Sequence, residues 1–154
     1  VLEQVTVLTK EGELLTIPRE ELDMGYRTSK VAKNQYIVLE AVIHLAHGEK
    51  EKIREKMNEL KEKRTTKQPL EYPSAGSTFK RPEGYFAGKL IEEAGLRGFQ
   101  VGGAQVSEKH CGFVINKDNA TAAEVRELIR QVSERVKANS GVTLEPEVKM
   151  LGEF

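Results

Sequence analysis

The chain has 154 residues, enough for one well-filled core or two small lobes. Its 24 Lys and Arg balance 24 Asp and Glu, so no basic excess exists for bulk nucleic-acid or anionic-membrane binding. One cysteine, Cys111, rules out an internal disulfide framework and fits a cytoplasmic setting, and no apolar run reaches the length of a bilayer span. The first residue is Val and the sequence opens almost inside a strand pattern, so a piece of a longer polypeptide is expected.

Val5–Leu8 and Leu14–Ile17 read as two strands around Lys10-Glu-Gly-Glu13, a hairpin signal. Tyr36–Ala46 is the strongest strand by its β-branched content, and Gly48 ends it. Glu49–Lys63 reads as a charged helix with Ile53, Met57 and Leu60 on one face. Thr65–Pro73 has neither period and carries two threonines and two prolines, so a boundary between lobes is placed there. Phe86–Ala94 reads as a short helix with Phe86, Leu90, Ile91 and Ala94 inward and Gly95 as its stop. Phe99–Val106, interrupted by Gly102-Gly103, and Phe113–Asn116 read as strands. Thr121-Ala-Ala-Glu124 is a capping-box pattern, opening a helix with Val125, Leu128, Ile129, Val132 and Val136 at helical spacing. Val142–Leu144 and Val148–Leu151 are extended on either side of Pro146. The element order predicts an α+β fold in two lobes.

Tyr72-Pro-Ser-Ala-Gly-Ser77-Thr-Phe-Lys-Arg-Pro82 is the most informative stretch. A hydroxyl after glycine, followed by Lys80 and Arg81, suits an anionic ligand and a proton transfer. Gly84-Tyr-Phe-Ala-Gly88-Lys89 has the wrong spacing for a phosphate loop, although Lys89 can meet a phosphate as a point charge. His44 and His47 would face opposite sides of a strand with no further ligand, which predicts no metal site. His110 and Cys111 are adjacent in an extended reading, so their side chains point apart. Cys111 reads as a core residue, and His110 stays open between surface and ligand contact. Arg27, in the Gly25-Tyr26-Arg27 loop, offers a planar fork for a carboxylate or phosphate, or is simply solvated. Glu147 beside Pro146 is either a turn carboxylate or a rigidly held site residue.

These segments fall in a recognisable order: Gly-Tyr-Arg27-x-Ser, Pro-x-x-Gly-Ser77-x-Phe-Lys-x-Pro, Ala-Gly-Lys89-Leu-Ile, Gly-Gly103-Ala-Gln-Val-Ser, Asn116-x-x-Asn119-Ala-Thr and Leu-Glu-Pro-Glu147-Val. Over nearly its whole length the chain resembles the MurB family, the UDP-N-acetylenolpyruvoylglucosamine reductases of bacterial peptidoglycan synthesis. The short linker before Ser77 resembles the family's type II branch, which lacks an extra loop over the substrate. The resemblance implies Ser77 as proton donor to substrate carbon, Arg27 as the grip on the enolpyruvyl carboxylate and Glu147 as the acidic group beyond it. It places Tyr26, Arg81, Lys89 and His110 among substrate-binding residues. Arg81 stands where other members carry asparagine and His110 where some carry glutamine. Lys149 replaces a frequent arginine and receives no role.

The resemblance also implies FAD as cofactor and NADPH as reductant, with the flavin passing hydride to the enolpyruvyl double bond. The family's glycine-rich FAD loops have no match here. The expected organisation is therefore the tail of an FAD-binding lobe at 1–64, a linker at 65–72 and a substrate-binding domain at 73–154. The expected partners are UDP-N-acetylenolpyruvoylglucosamine, a missing N-terminal FAD-binding half and a second copy, since the first lobe would expose apolar surface. Two functions stay open: a reductase needing its FAD lobes, or a non-catalytic UDP-sugar-binding fragment without bound flavin.

Overall fold

A computed structural model describes residues 1–152. The chain divides into two compact units, Val1–Ile53 and Arg54–Phe154. Mixed helices and antiparallel sheets make it α+β.

In the first unit, β1 (Leu2–Leu8) forms a hairpin with β2 (Leu14–Pro18), and β3 (Ile37–Ile43) pairs with the other edge of β1. The hairpin turn closes because the Thr9 hydroxyl accepts from the Glu13 amide while Gly12 takes a φ of 84°. Val5, Val7, Ile17 and Leu22 form the core, with Leu2, Val31 and Tyr36 against it. The short helix α1 (Lys30–Asn34) starts where the Ser29 hydroxyl accepts from the Ala32 amide and stops at Gln35, at φ 57°. It is too short to carry a helical period, which is why the sequence gives no sign of it. β3 is shorter than Tyr36–Ala46 and is an edge strand. Its β-branched run is largely exposed, with Ile37 at 61% and Leu39 at 56%.

Helix α2 (Lys50–Lys67) runs past Lys63 into the stretch read as linker. Thr65 sustains it by donating its hydroxyl to the Lys61 and Glu62 carbonyls. None of its residues is buried, so Ile53, Met57 and Leu60 form an exposed stripe.

The second unit holds a four-stranded antiparallel sheet in the order β4-β7-β6-β5, formed by β4 (Ser74–Ser77), β5 (Gln100–Val101), β6 (Ala104–Val106) and β7 (Phe113–Asn116). Gly102-Gly103 is the hairpin turn between β5 and β6, not an interruption within one strand. The turn lies so close to its neighbours that a Cβ on Gly103 would sit 2.0 Å from the Asp118 carbonyl oxygen. Helix α3 (Ala87–Glu93) buries Leu90 and Ile91 and ends before Gly95, at φ 71°. Phe86 departs from its predicted inward position. It lies just outside the helix, 59% exposed, with its ring under the Arg81 guanidinium.

Helix α4 (Ala122–Ser140) carries the capping box at its start, with Thr121 and Glu124 bonding each other's backbone amides. Leu128, Ile129, Val132 and Val136 enter one core with Leu90, Ile91, Ala104, Val106 and Val114. Four such side chains, each giving about 1.5–3 kcal/mol on burial, make α4 the main source of cohesion in this unit.

Candidate functional site

Ser77 sits at the end of β4, and the strand is irregular before it. The β4–β7 register shifts between Ser74/Ile115 and Ser77/Phe113. Gly76 absorbs that bulge at φ 86°, where an L side chain is strained, and its amide donates to the Ser74 hydroxyl. A bulge re-aims the residue that follows, which leaves Ser77 exposed at the rim while Thr78 is buried.

Beyond Ser77 the chain is held on both sides. On one side the Thr78 amide donates to the Gly112 carbonyl at 2.9 Å, and the Val114 amide donates to the Thr78 hydroxyl at 2.9 Å. On the other, Phe79 bridges Pro146 in antiparallel sense. There the Glu147 amide donates to the Thr78 carbonyl and the Lys80 amide to the Glu145 carbonyl, both at 2.9 Å. Lys80 and Glu145 also pair through their side chains. Thr78 therefore stands opposite Glu147, with Ser77 one position along the strand, across a ladder linking segments about 70 positions apart in sequence. Thr78, which no sequence motif singled out, is the bolt of this arrangement.

His110 joins the same corner. The buried Ser107 hydroxyl accepts the Lys109 and His110 amides, which turns the chain. The Gly112 amide donates to His110 Nδ1 at 3.0 Å, so in the neutral ring Nε2 carries the proton and is a donor. The ring also meets Phe113 edge-on at 5.0 Å. Gly88 packs here because a Cβ on it would lie 3.2 Å from the Gly112 amide nitrogen and 3.3 Å from the His110 ring. Its neighbour Lys89 pairs with Glu93 one helical turn on, at 3.6 Å.

Arg81 follows Lys80. Its Nε donates to the Tyr85 carbonyl at 3.3 Å, and its guanidinium carbon lies 4.0 Å from the centroid of Phe86. Lys109 and Lys117 tie the approach to β4. Lys109 Nζ donates to the Thr65 carbonyl at 2.9 Å and to Glu71 at 3.3 Å, and Lys117 donates to the Tyr72 hydroxyl. The Tyr72 hydrogen bond holds the Lys117 ammonium above its ordinary range. An apolar cavity of about 360 Å³ opens beside the ladder among Ser74, Thr78, Val114, Ile129 and Val148. Its apolar walls do not suit a diphosphate.

Tyr26 and Arg27 belong to the first unit. Gly25 and Thr28 bond each other's backbone in both directions, leaving Tyr26-Arg27 as a two-residue turn tip. Arg27 sits there at φ 57°, uncommon for a side-chain-bearing residue, and its guanidinium lies 5.7 Å from the Tyr26 ring centroid. Both side chains are exposed. Elsewhere, His44 Nδ1 lies 2.9 Å from Glu3. Among the described residues no group of three His, Cys, Asp or Glu could hold a metal. Cys111 is buried in the core, and burial pushes its thiol up.

The first unit does not suit a flavin dinucleotide's pyrophosphate. Its glycines stand singly: Gly12 in the hairpin turn, Gly25 in the Tyr26-Arg27 turn and Gly48 against Ile53. Among the described residues of that unit no succession of glycine amides forms a cradle.

A model of the family "UDP-N-acetylenolpyruvoylglucosamine reductase, C-terminal domain" matches residues 68–151. The chain belongs to this family. The UDP-N-acetylenolpyruvoylglucosamine reductase of Agathobacter rectalis is 63% identical over 154 residues, covering all of this chain and 49% of the relative. The reductase of the same name from Exiguobacterium sibiricum is 57% identical over 152 residues, 99% of this chain and 50% of that protein. The crystal structure of UDP-N-acetylenolpyruvylglucosamine reductase (MurB) from Thermus caldophilus superposes with a TM-score of 0.82 at 38% identity, covering 96% of this chain and 52% of that one. The chain thus spans about half the length of the curated relatives it matches.

Proposed function

We propose that this chain supplies the substrate-binding and proton-donating part of a UDP-N-acetylenolpyruvoylglucosamine reductase, in peptidoglycan precursor synthesis. The observation that supports the reading is the ladder in which Thr78, next to Ser77 in the chain, stands opposite Glu147, in a chain of this family. Ser77 delivers a proton to the substrate carbon left electron-rich by reduction. Arg27 meets the enolpyruvyl carboxylate, and Glu147, when protonated, donates a hydrogen bond to it as charge builds there. Tyr26, Arg81, Lys89 and His110 bind the remainder of the substrate, with His110 Nε2–H suited to an anionic oxygen.

FAD, reduced by NADPH, is the proposed source of hydride. It would sit on the portion of the relatives' length that this chain does not span. That portion is also the proposed cover for the exposed apolar side chains of β3. Without it, a second copy is the proposed occupant. The single buried thiol supports a cytoplasmic setting.

The decisive experiment compares Ser77→Ala with wild type in the full-length enzyme by stopped-flow. Flavin reduction by NADPH should be unchanged and flavin reoxidation by substrate should slow at least about a hundredfold. Reoxidation at the wild-type rate removes Ser77 from the role.

A further inference from the structure

The segment from Leu22 to Lys30 is a finger with an anchored root. Leu22 is buried in the first unit's core, and Val31 of α1 packs against that core just past Lys30. Between these anchors the Lys30 amide donates to the Leu22 carbonyl at 2.6 Å and closes the loop. Gly25 and Thr28 exchange backbone bonds farther out, so the finger is a short ladder with Arg27 at its tip. The root bends sharply, with Asp23 at φ 46°. Among the described residues, three of the four non-glycine residues at positive φ are Asp23, Arg27 and Gln35, all in this finger and at the end of α1. Such strain persists where surrounding contacts enforce it. At Asp23 the enforcing contact is Lys33, one turn into α1, whose ammonium reaches back and donates to the Asp23 carboxylate. That hydrogen bond, and then the ammonium charge, hold the Asp23 carboxyl below its ordinary range. Both side chains are exposed, so the pair adds little to the stability of the fold.

We propose that Asp23 is a positioning residue for Arg27. Clasped by Lys33, it fixes the direction in which the finger leaves α1, and with it the place where the guanidinium fork meets a carboxylate. The inference rests on the reading of Arg27 as the grip on the enolpyruvyl carboxylate. A planar fork matches a carboxylate in one orientation, and a swing at the root is magnified at the tip. A finger that points correctly for only a fraction of the time binds more weakly in proportion to that fraction.

Stopped-flow reoxidation of the flavin in the full-length enzyme, followed against substrate concentration, tests this in Asp23→Gly, Lys33→Met and the double variant, with Arg27→Ala as control. Glycine takes the left-handed backbone without strain, so Asp23→Gly frees the root and adds no clash. Lys33→Met should raise the half-saturating substrate concentration about threefold and Asp23→Gly about tenfold, since glycine also loosens the chain. The double variant should be no worse than Asp23→Gly. Flavin reduction by NADPH and the thermal midpoint should stay at wild type in all three. Wild-type half-saturation in Asp23→Gly, where Arg27→Ala raises it, overturns the role of Asp23 alone. So does a midpoint that falls along with affinity, which marks a structural part, and so does a double variant whose losses multiply. Wild-type half-saturation in Arg27→Ala overturns the reading of Arg27 and the proposal with it.

Discussion

Gly76 isolates the cost of aiming Ser77. A Cβ there would touch nothing within 4 Å, yet the backbone stands at φ 86°. Replacement therefore meets conformational strain and no clash. Gly76→Ala should cost about 1–2 kcal/mol in urea denaturation. An unchanged midpoint would mean that the bulge does not need glycine. A second residue-scale case concerns charge. Arg130 donates to both oxygens of Glu127 at 2.8 and 2.6 Å and also pairs with Glu134. The Arg130 hydrogen bonds, then Gln131, hold the Glu127 carboxyl down at about 2. A depressed folded value stabilises above the ordinary carboxylate range, and that contribution is lost as pH falls through about 2. Glu127 is solvent-facing, so the contribution to stability is small. The clean readout is an NMR titration of its side-chain carbon. Arg130→Gln should move the midpoint up toward the ordinary range, and no movement would remove Arg130 as the cause.

At the scale of elements, α4 was legible because every cue agreed: the capping box, the helical period and Gly141 at φ 74° as its end. Leu128→Ala should cost about 2–5 kcal/mol, against about 1 kcal/mol for Thr121→Ala, both by chemical denaturation. The reverse order would place the helix's stability in its cap and not its buried face. β4 was not legible. Ser74–Ser77 has little strand propensity and is strand only because β7 pairs with it. Its neighbour segment pairs with residues 145–147, a contact that local spacing cannot reveal. The resemblance assigned Ser77 and Glu147 to one site, and in the ladder it is Thr78, the residue after Ser77, that stands opposite Glu147. The end of α2 and the outward turn of Phe86 were misread for related reasons. Threonine hydroxyls can bond a helix's own carbonyls, and a guanidinium can hold an aromatic ring at the surface.

At the scale of the whole molecule, α+β in two parts was legible from element order. The sequence placed the change of lobe near 65–72, whereas the compact units meet at Ile53 and Arg54, inside α2. The units are unequal: among the described residues, 13 buried side chains form the second unit's hydrophobic core cluster and four the first's. The first unit also presents β3, an edge whose exposed residues include only one charge, Glu40. Native edges usually carry lysine or proline against such pairing. Light scattering should therefore show apparent mass rising with concentration, and Leu39→Lys should hold it at the monomer value. A monomer mass at every concentration sinks the idea.

The ladder on Thr78 ties one wall of the Ser77 corner to residues 145–147, after the last core contact of the C-terminal segment, Leu144. A premature stop just past Leu144 would spare every residue of that core. Such a lesion would yield a protein that accumulates and melts almost normally, yet has lost a side of its candidate site. Abundance would be a poor guide to the harm done.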